Sequence, residues 1–218
     1  MNRKLFLFDL DGTVGDTLES ISHTAELAFR DFGIVPQNTE HFRYYAGDGA
    51  DVMIQRALAA SQVFDPKLVR QVTLRYREYF VDGCTYRVGS FPGLKQTLDA
   101  LKNRGILIAV CSNKDQFYSE KVVETIYGKG YFDRILGKSA SLPAKPDPAM
   151  PLSIADGLRI SVGDCVYVGD TNTDMKCGKA AGMYTVGVLW GFRQKEELLS
   201  AGADTIIDKP ADLLKLLA

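Results

Sequence analysis

Four short polar stretches hold the residues that could do chemistry. The first is Asp9 and Asp11, two carboxylates separated by one residue and followed by Gly12 and Thr13. The second is Ser112-Asn113-Lys114, directly after the apolar run Ile106 to Cys111. The third is Lys145, followed by Pro146, Asp147 and Pro148. The fourth is Gly169-Asp170-Thr171-Asn172-Thr173-Asp174, directly after Val166 to Val168. Acids, a hydroxyl, an ammonium and turn backbones are the parts of a phosphoryl-transfer site. The acids can hold a hard divalent cation, and small octahedral magnesium suits oxygen ligands. Such a cation would neutralise phosphate charge and let an anionic nucleophile approach. A carboxylate can attack phosphorus to form an aspartyl-phosphate. Ser112, Thr13 and Lys145 could bind the equatorial phosphoryl oxygens. Pro146 biases Lys145 away from helical backbone.

Each stretch also has a plain structural reading. An Asp after a strand is often a turn residue or a helix cap. Ser112-Asn113 could be a cap or a turn, Lys145 a solvated surface lysine, and Asp170 with Asp174 the cap of the next helix. What would separate the readings is a fold that brings all four stretches to one edge.

The elements needed for that are legible. Lys4 to Phe8 reads as a strand buried on both faces, and it delivers Asp9 and Asp11 to the edge of a core. Burying unpaired charge is expensive, so the pair asks for a cation. Leu18, Ile21, Ala25, Ala28, Phe29 and Phe32 follow helical spacing, with Gly33 as a stop and Pro36 beyond it. A helix is predicted from about Val52 to Ala60. Another starts near Pro66, with Leu68, Val69, Val72, Tyr76, Tyr79 and Phe80 on one face. Residues 15–86 thus read as wholly helical.

Past Gly89, Pro92 and Gly93 the chain alternates. Helices are predicted over Leu94–Arg104, Asp115–Tyr127, Ala149–Leu158, Asp174–Ala181 and Ala211–Leu217. Strands are predicted over Ile106–Cys111, Arg134–Gly137, Asp164–Val168, Thr185–Leu189 and Ala203–Ile207. Strands separated by helices imply parallel pairing through right-handed crossovers. The expected fold is α/β: a three-layer, Rossmann-like parallel sheet core of residues 1–14 and 87–218, with residues 15–86 inserted as an α-helical cap domain. In open parallel sheets the ligand crevice lies beyond the carboxyl ends of the strands. An insert leaving straight after Asp11 starts at that crevice, where it could serve as a lid.

Composition narrows the partners. A formal net charge of -1 gives no basic footprint for nucleic acid and no pull toward an anionic membrane. No apolar segment approaches a membrane span, and no export signal precedes the first strand. Cys84, Cys111, Cys165 and Cys177 form no close pair, and only His23 and His41 could join a zinc site. Cys177 reads as packing. A cytoplasmic protein is expected, of open oligomeric state.

The four stretches together resemble the haloacid-dehalogenase-like superfamily, in its phosphatase branch. DLDGT at Asp9–Thr13, Ser112 with Asn113, Lys145 in AKPDP and GDTNTD at Gly169–Asp174 are similar to its four motifs, in order and across essentially the whole chain. The resemblance implies that Asp9 is the nucleophile. It implies that Asp11 protonates the leaving oxygen and then activates water. Magnesium would be held by Asp9, the backbone carbonyl of Asp11 and Asp170, with Asp174 assisting. Thr13, Ser112 and Lys145 would orient the phosphoryl group, and Asn113 would support them. Halide-releasing relatives lack the second acid because their leaving group needs no proton, so Asp11 argues for a phosphorus–oxygen bond.

The substrate is expected to be a small phosphorylated metabolite. The Val188-Leu189-Trp190-Gly191 segment resembles phosphoglycolate phosphatases, which makes phosphoglycolate the leading candidate. Selectivity should come from the insert, where Arg43, Tyr44, Tyr45 and Gly47-Asp48-Gly49 are the candidate residues. The alternatives are a sugar-phosphate mutase of the β-phosphoglucomutase type, a pyrophosphatase, and a non-catalytic phosphate-binding protein. Release of inorganic phosphate separates hydrolase from mutase.

Overall fold

The computed structural model of the chain describes residues 3–217. They divide into two compact units, one running to Asp16 and resuming at Gly89, the other spanning Thr17–Val88. Each junction falls two residues later than the boundaries read from sequence.

The larger unit begins with strand β1 (Leu5–Phe8), whose four side chains are all buried. The chain then leaves for the second unit, made of helices α1 (Leu18–Asp31), α2 (Phe42–Tyr45), α3 (Ala50–Ala60) and α4 (Pro66–Gly83). Within it Leu18, Ile21, Ala25, Ala28 and Phe29 are buried on α1, and Val72, Tyr76 and Phe80 on α4. Both sets follow the three- and four-residue spacing that marks one helix face. The two helices come close near Gly83, where an added Cβ would lie 2.4 Å from Thr24 Oγ1. Ser20 Oγ also donates to the Gly83 carbonyl at 2.9 Å. Asp65 caps α4 by accepting from Lys67 N, with Pro66 in the first turn. The short α2 was not anticipated, because four residues are too few to display a period.

The chain re-enters the larger unit with α5 (Leu94–Lys102), then alternates: β2 (Leu107–Asp115), α6 (Gln116–Tyr127), β3 (Arg134–Lys138), α7 (Ala149–Gly157), β4 (Cys165–Gly169), α8 (Asn172–Ala180), β5 (Tyr184–Val188), α9 (Lys195–Ser200) and β6 (Thr205–Ile207). A 3-10 segment, Pro210–Leu217, stands where an α-helix was expected. The six strands form one parallel sheet in the order β3-β2-β1-β4-β5-β6. Leu5 and Leu7 share a face with Ala109, Cys111, Cys165 and Tyr167, and this face packs against Met150, Ile154 and Ala155 of α7, Cys177 of α8 and Ala181 just after it. Phe6 and Phe8 point the other way, as strand alternation requires. Right-handed crossovers put α5 and α6 on that second face, since the chain there moves along the sheet in the opposite direction.

This order matters for function. The sheet grows outward from β1 in both directions, so the topological switch lies between β1 and β4. Asp9 follows β1 and Asp170 follows β4, and the two strands pair in register from Leu5↔Cys165 to Phe8↔Val168. All four cysteines are buried thiols outside any disulfide. No helix among the described residues is long and apolar enough to cross a membrane.

Candidate active site

The backbone after β1 turns back on itself. Thr13 N, Val14 N and Gly15 N all donate to the Leu10 carbonyl, at 3.2, 3.1 and 2.8 Å. Gly12 has a φ of +84°, and a Cβ there would lie 2.3 Å from Asp170 Oδ2. Glycine is therefore required twice, by conformation and by the approach of Asp170. Gly191 presses on Asp170 from another side, with its would-be Cβ 2.4 Å from Oδ2.

Asp9, Asp170 and Asp174 are buried, and each offers a carboxylate oxygen within 4.8 Å of the others'. Lys145 reaches into this group. Its Nζ donates to Asp9 Oδ1 at 2.7 Å, to Asp174 Oδ1 at 2.7 Å and to the Cys111 carbonyl at 3.0 Å. A solvated surface lysine is excluded, since its side chain is 1% exposed. Asn113 fixes the backbone of this lysine from both sides: Lys145 N donates to Asn113 Oδ1 at 2.8 Å, and Asn113 Nδ2 donates to the Lys145 carbonyl at 3.1 Å. Asn113 therefore positions Lys145 and does not itself face the carboxylates through those two atoms.

Asp174 has two jobs. Its Oδ2 accepts from Thr171 N at 3.0 Å and Thr171 Oγ1 at 2.6 Å, closing a capping box at the start of α8. Its Oδ1 accepts from Lys145. The helix-cap reading of this residue thus holds together with its place in the acid cluster. Asp170 accepts from Thr13 Oγ1 at 2.8 Å and from Phe192 N at 2.7 Å. The Thr13 hydroxyl donates to a carboxylate here, where sequence assigned it to a phosphoryl oxygen.

Ser112 and Asn113 do not follow a strand that ends at Cys111. Strand β2 continues to Asp115, with its register against β3 shifting between Cys111↔Leu136 and Asp115↔Lys138. The apolar run stops while the backbone stays extended, so the strand end was placed too early. A bulge of this kind re-aims side chains at a sheet edge. Ser112 is buried, and its Oγ accepts from Lys114 N at 3.2 Å. The Asp11 carboxylate lies outside the three-acid cluster and pairs with Lys114, Nζ to Oδ2, at 3.0 Å.

Electrostatics follow from the count of charges. Burial first, then the neighbouring Asp174, pushes the Asp9 carboxyl well above its usual range, against the pull of Lys145. Burial and Asp174 push Asp170 up to about 7, although the Phe192 amide and the Thr13 hydroxyl oppose the rise. Burial also works against the charge on Lys145, but Asp174 and Asp9 outweigh it and hold that ammonium's pKa well above the usual lysine value. Three carboxylates around one ammonium carry more negative charge than the cluster balances. Hard oxygen donors at this spacing fit a divalent cation such as magnesium. Burial raises the Cys177 thiol, as suits a packing residue.

Three contributors have no individual role in the sequence reading, although Thr171 and Trp190 lie in stretches it names. They are the Phe192 amide, the Trp190 indole, which donates to the Thr13 carbonyl at 3.0 Å, and Thr171. Only Thr171 had a sequence signal, as the first residue of a Thr-x-x-Asp pattern before a helix.

The chain matches the family described as haloacid dehalogenase-like hydrolase over residues 6–188. It belongs to that family. Among its relatives, the phosphoglycolate phosphatase of Haemophilus influenzae is 30% identical, with 98% of each chain covered. The phosphoglycolate phosphatase of Aquifex aeolicus is 29% identical over 98% of this chain and 96% of that one. A crystal structure from Lactobacillus delbrueckii subsp. bulgaricus superposes with a TM-score of 0.94 at 28% identity, over 100% of this chain and 99% of the other. The family match runs from within β1 to the end of β5 and thus covers every residue of the acid cluster.

In the helical unit, the residues named for selectivity are engaged locally. Arg43 Nε pairs with Glu40 Oε2 at 2.7 Å. Arg56 donates to Asp48 Oδ2 at 2.6 Å and to the Tyr45 carbonyl at 3.0 Å, tying the Gly47-Asp48-Gly49 loop to α3. Tyr44 is exposed, while Tyr45 is half-buried and packs edge-on against Phe42. The neighbours therefore face differently, as adjacent helical positions must.

Proposed function

We propose that this member of the family is a magnesium-dependent phosphomonoester hydrolase of the cytoplasm, acting on a small phosphorylated metabolite, with phosphoglycolate the leading substrate. The observation that carries the reading is Lys145, buried and bonded to both Asp9 and Asp174, with Asp170 completing the acid cluster. Asp9, Asp170, Asp174 and the backbone carbonyl of Asp11 would hold the magnesium. When bound, the ion supplies charge neutralisation that lets a carboxylate and a phosphate meet.

The chain's own residues then have distinct tasks. Asp9 is the nucleophile: one carboxylate oxygen attacks phosphorus, the ester oxygen departs, and an aspartyl-phosphate forms. Asp11 gives the departing oxygen its proton, then takes one from the water that attacks the aspartyl-phosphate and releases inorganic phosphate. Lys145 orients Asp9 and balances charge on the phosphoryl oxygens, and the Ser112 hydroxyl donates to one of them. Thr13 and the Phe192 amide hold Asp170. The relatives' activity on phosphoglycolate supports the named substrate.

The test is phosphate release from a panel of small phosphomonoesters with and without magnesium. The expected result is turnover that needs the metal and favours 2-phosphoglycolate. A uniform rate across the panel would remove that name. Isomerised sugar phosphate without free phosphate would replace hydrolase by mutase.

A further inference from the structure

We propose that Lys114 is a specificity residue that selects phosphomonoesters whose leaving group carries a carboxylate. The inference rests on the role given above to Asp11, and it supplies a chemical reason for the substrate class. Lys114 Nζ lies 3.0 Å from Asp11 Oδ2, and the two side chains are 7% and 17% exposed. A lysine so withdrawn from water has a fixed head group. Its backbone is anchored at the irregular end of β2, where Lys114 N donates to Ser112 Oγ at 3.2 Å and its carbonyl accepts from Ser119 Oγ at 3.0 Å.

Two lysines, Lys145 buried and Lys114 half-buried, therefore divide the site. Lys145 serves the nucleophile side, with its ammonium on Asp9 and Asp174. Lys114 sits against the acid that serves the departing oxygen. An ammonium has three donor hydrogens, so the contact with Asp11 does not exhaust it. A carboxylate one carbon away from the ester oxygen, as in a phosphorylated 2-hydroxy acid, would share the positive charge. A methyl group in the same place offers nothing to it, and an ammonium is repelled. Lys114 thus favours an anionic leaving group through one charge-assisted hydrogen bond.

The test compares kcat/KM for 2-phosphoglycolate and ethyl phosphate, which differ by a carboxylate in place of a methyl group, with 2-aminoethyl phosphate as the cationic counterpart. The wild-type enzyme should prefer 2-phosphoglycolate over ethyl phosphate by roughly 10- to 100-fold, the effect of one hydrogen bond to a charged group. Lys114→Gln should bring this ratio close to one, and Lys114→Arg should retain most of it. The ratio is internal to each variant, so a shared loss from a displaced Asp11 cancels. A wild-type ratio near one overturns the inference and leaves magnesium-dependent hydrolysis standing. An unchanged ratio in Lys114→Gln also overturns it. Should Lys114→Gln fail to fold, the wild-type and Lys114→Arg ratios decide. If no ester is turned over, the proposed function itself falls.

Discussion

Lys145 uses its three donor hydrogens on Asp9, Asp174 and the Cys111 carbonyl. Lys145→Met would leave two buried carboxylates facing one another without their ammonium. Breaking a buried ion pair by removing one partner costs about 3–5 kcal/mol. Urea unfolding should show a loss of that order, and phosphatase turnover should fall with it. Asp11 makes a different prediction. Asp11→Asn should lose most activity on esters with poor leaving groups and least on an activated aryl phosphate, so the slope of log kcat/KM against leaving-group pKa should steepen. An equal loss on both kinds of ester would count against its acid role. Gly12→Ala should displace Asp170, because the new Cβ would lie 2.3 Å from its Oδ2 at a φ of +84°. Weakened magnesium binding, read by titration calorimetry, is the expected sign.

At the scale of elements, legibility depended on whether the signal was local. The apolar runs of β1 and β4 announced themselves, and so Asp9 and Asp170 were placed at strand exits. The end of β2 did not, because Ser112 to Asp115 are polar while their backbone keeps the extended form. The helices α2 and α9 are four and six residues long, too short for a helical period. The partners of Asp170 were hidden for another reason: an amide at Phe192 carries no residue-type signal, and only the sheet order brings it to Asp170. The Val188–Gly191 segment had been singled out only by resemblance, yet it delivers Trp190 to the Thr13 carbonyl. The β5–β6 connection offers its own test. Asp204 accepts from Lys179 Nζ, Thr185 N and Thr185 Oγ1. Burial works against its ionised form, but these donors outweigh it and lower its pKa. A carboxyl lowered on folding adds stability above its unfolded pKa of about 4, and loses it as pH falls through the folded value. Asp204→Asn should therefore cost about 1 kcal/mol near neutral pH, a figure discounted for the group's solvent exposure. The difference from wild type in urea unfolding should shrink below about pH 4.

At the scale of the molecule, a parallel sheet that switches direction between β1 and β4 gathers residues from 9 to 174 at one edge. The net charge of -1 said nothing of this, because the excess of acid is local. A cation bound there stabilises the folded chain by mass action, by about 2.7 kcal/mol at a hundredfold excess over its Kd. Magnesium should therefore raise the Tm of the wild type, and Asp170→Asn should abolish most of that rise. The central claim is that Asp9 takes the phosphoryl group. Turnover of 2-phosphoglycolate quenched in acid and reduced with borohydride would convert an acyl phosphate to an alcohol, so the peptide spanning β1 should carry homoserine at position 9. Homoserine at another aspartate, or none at position 9 while phosphate is released, would contradict the account.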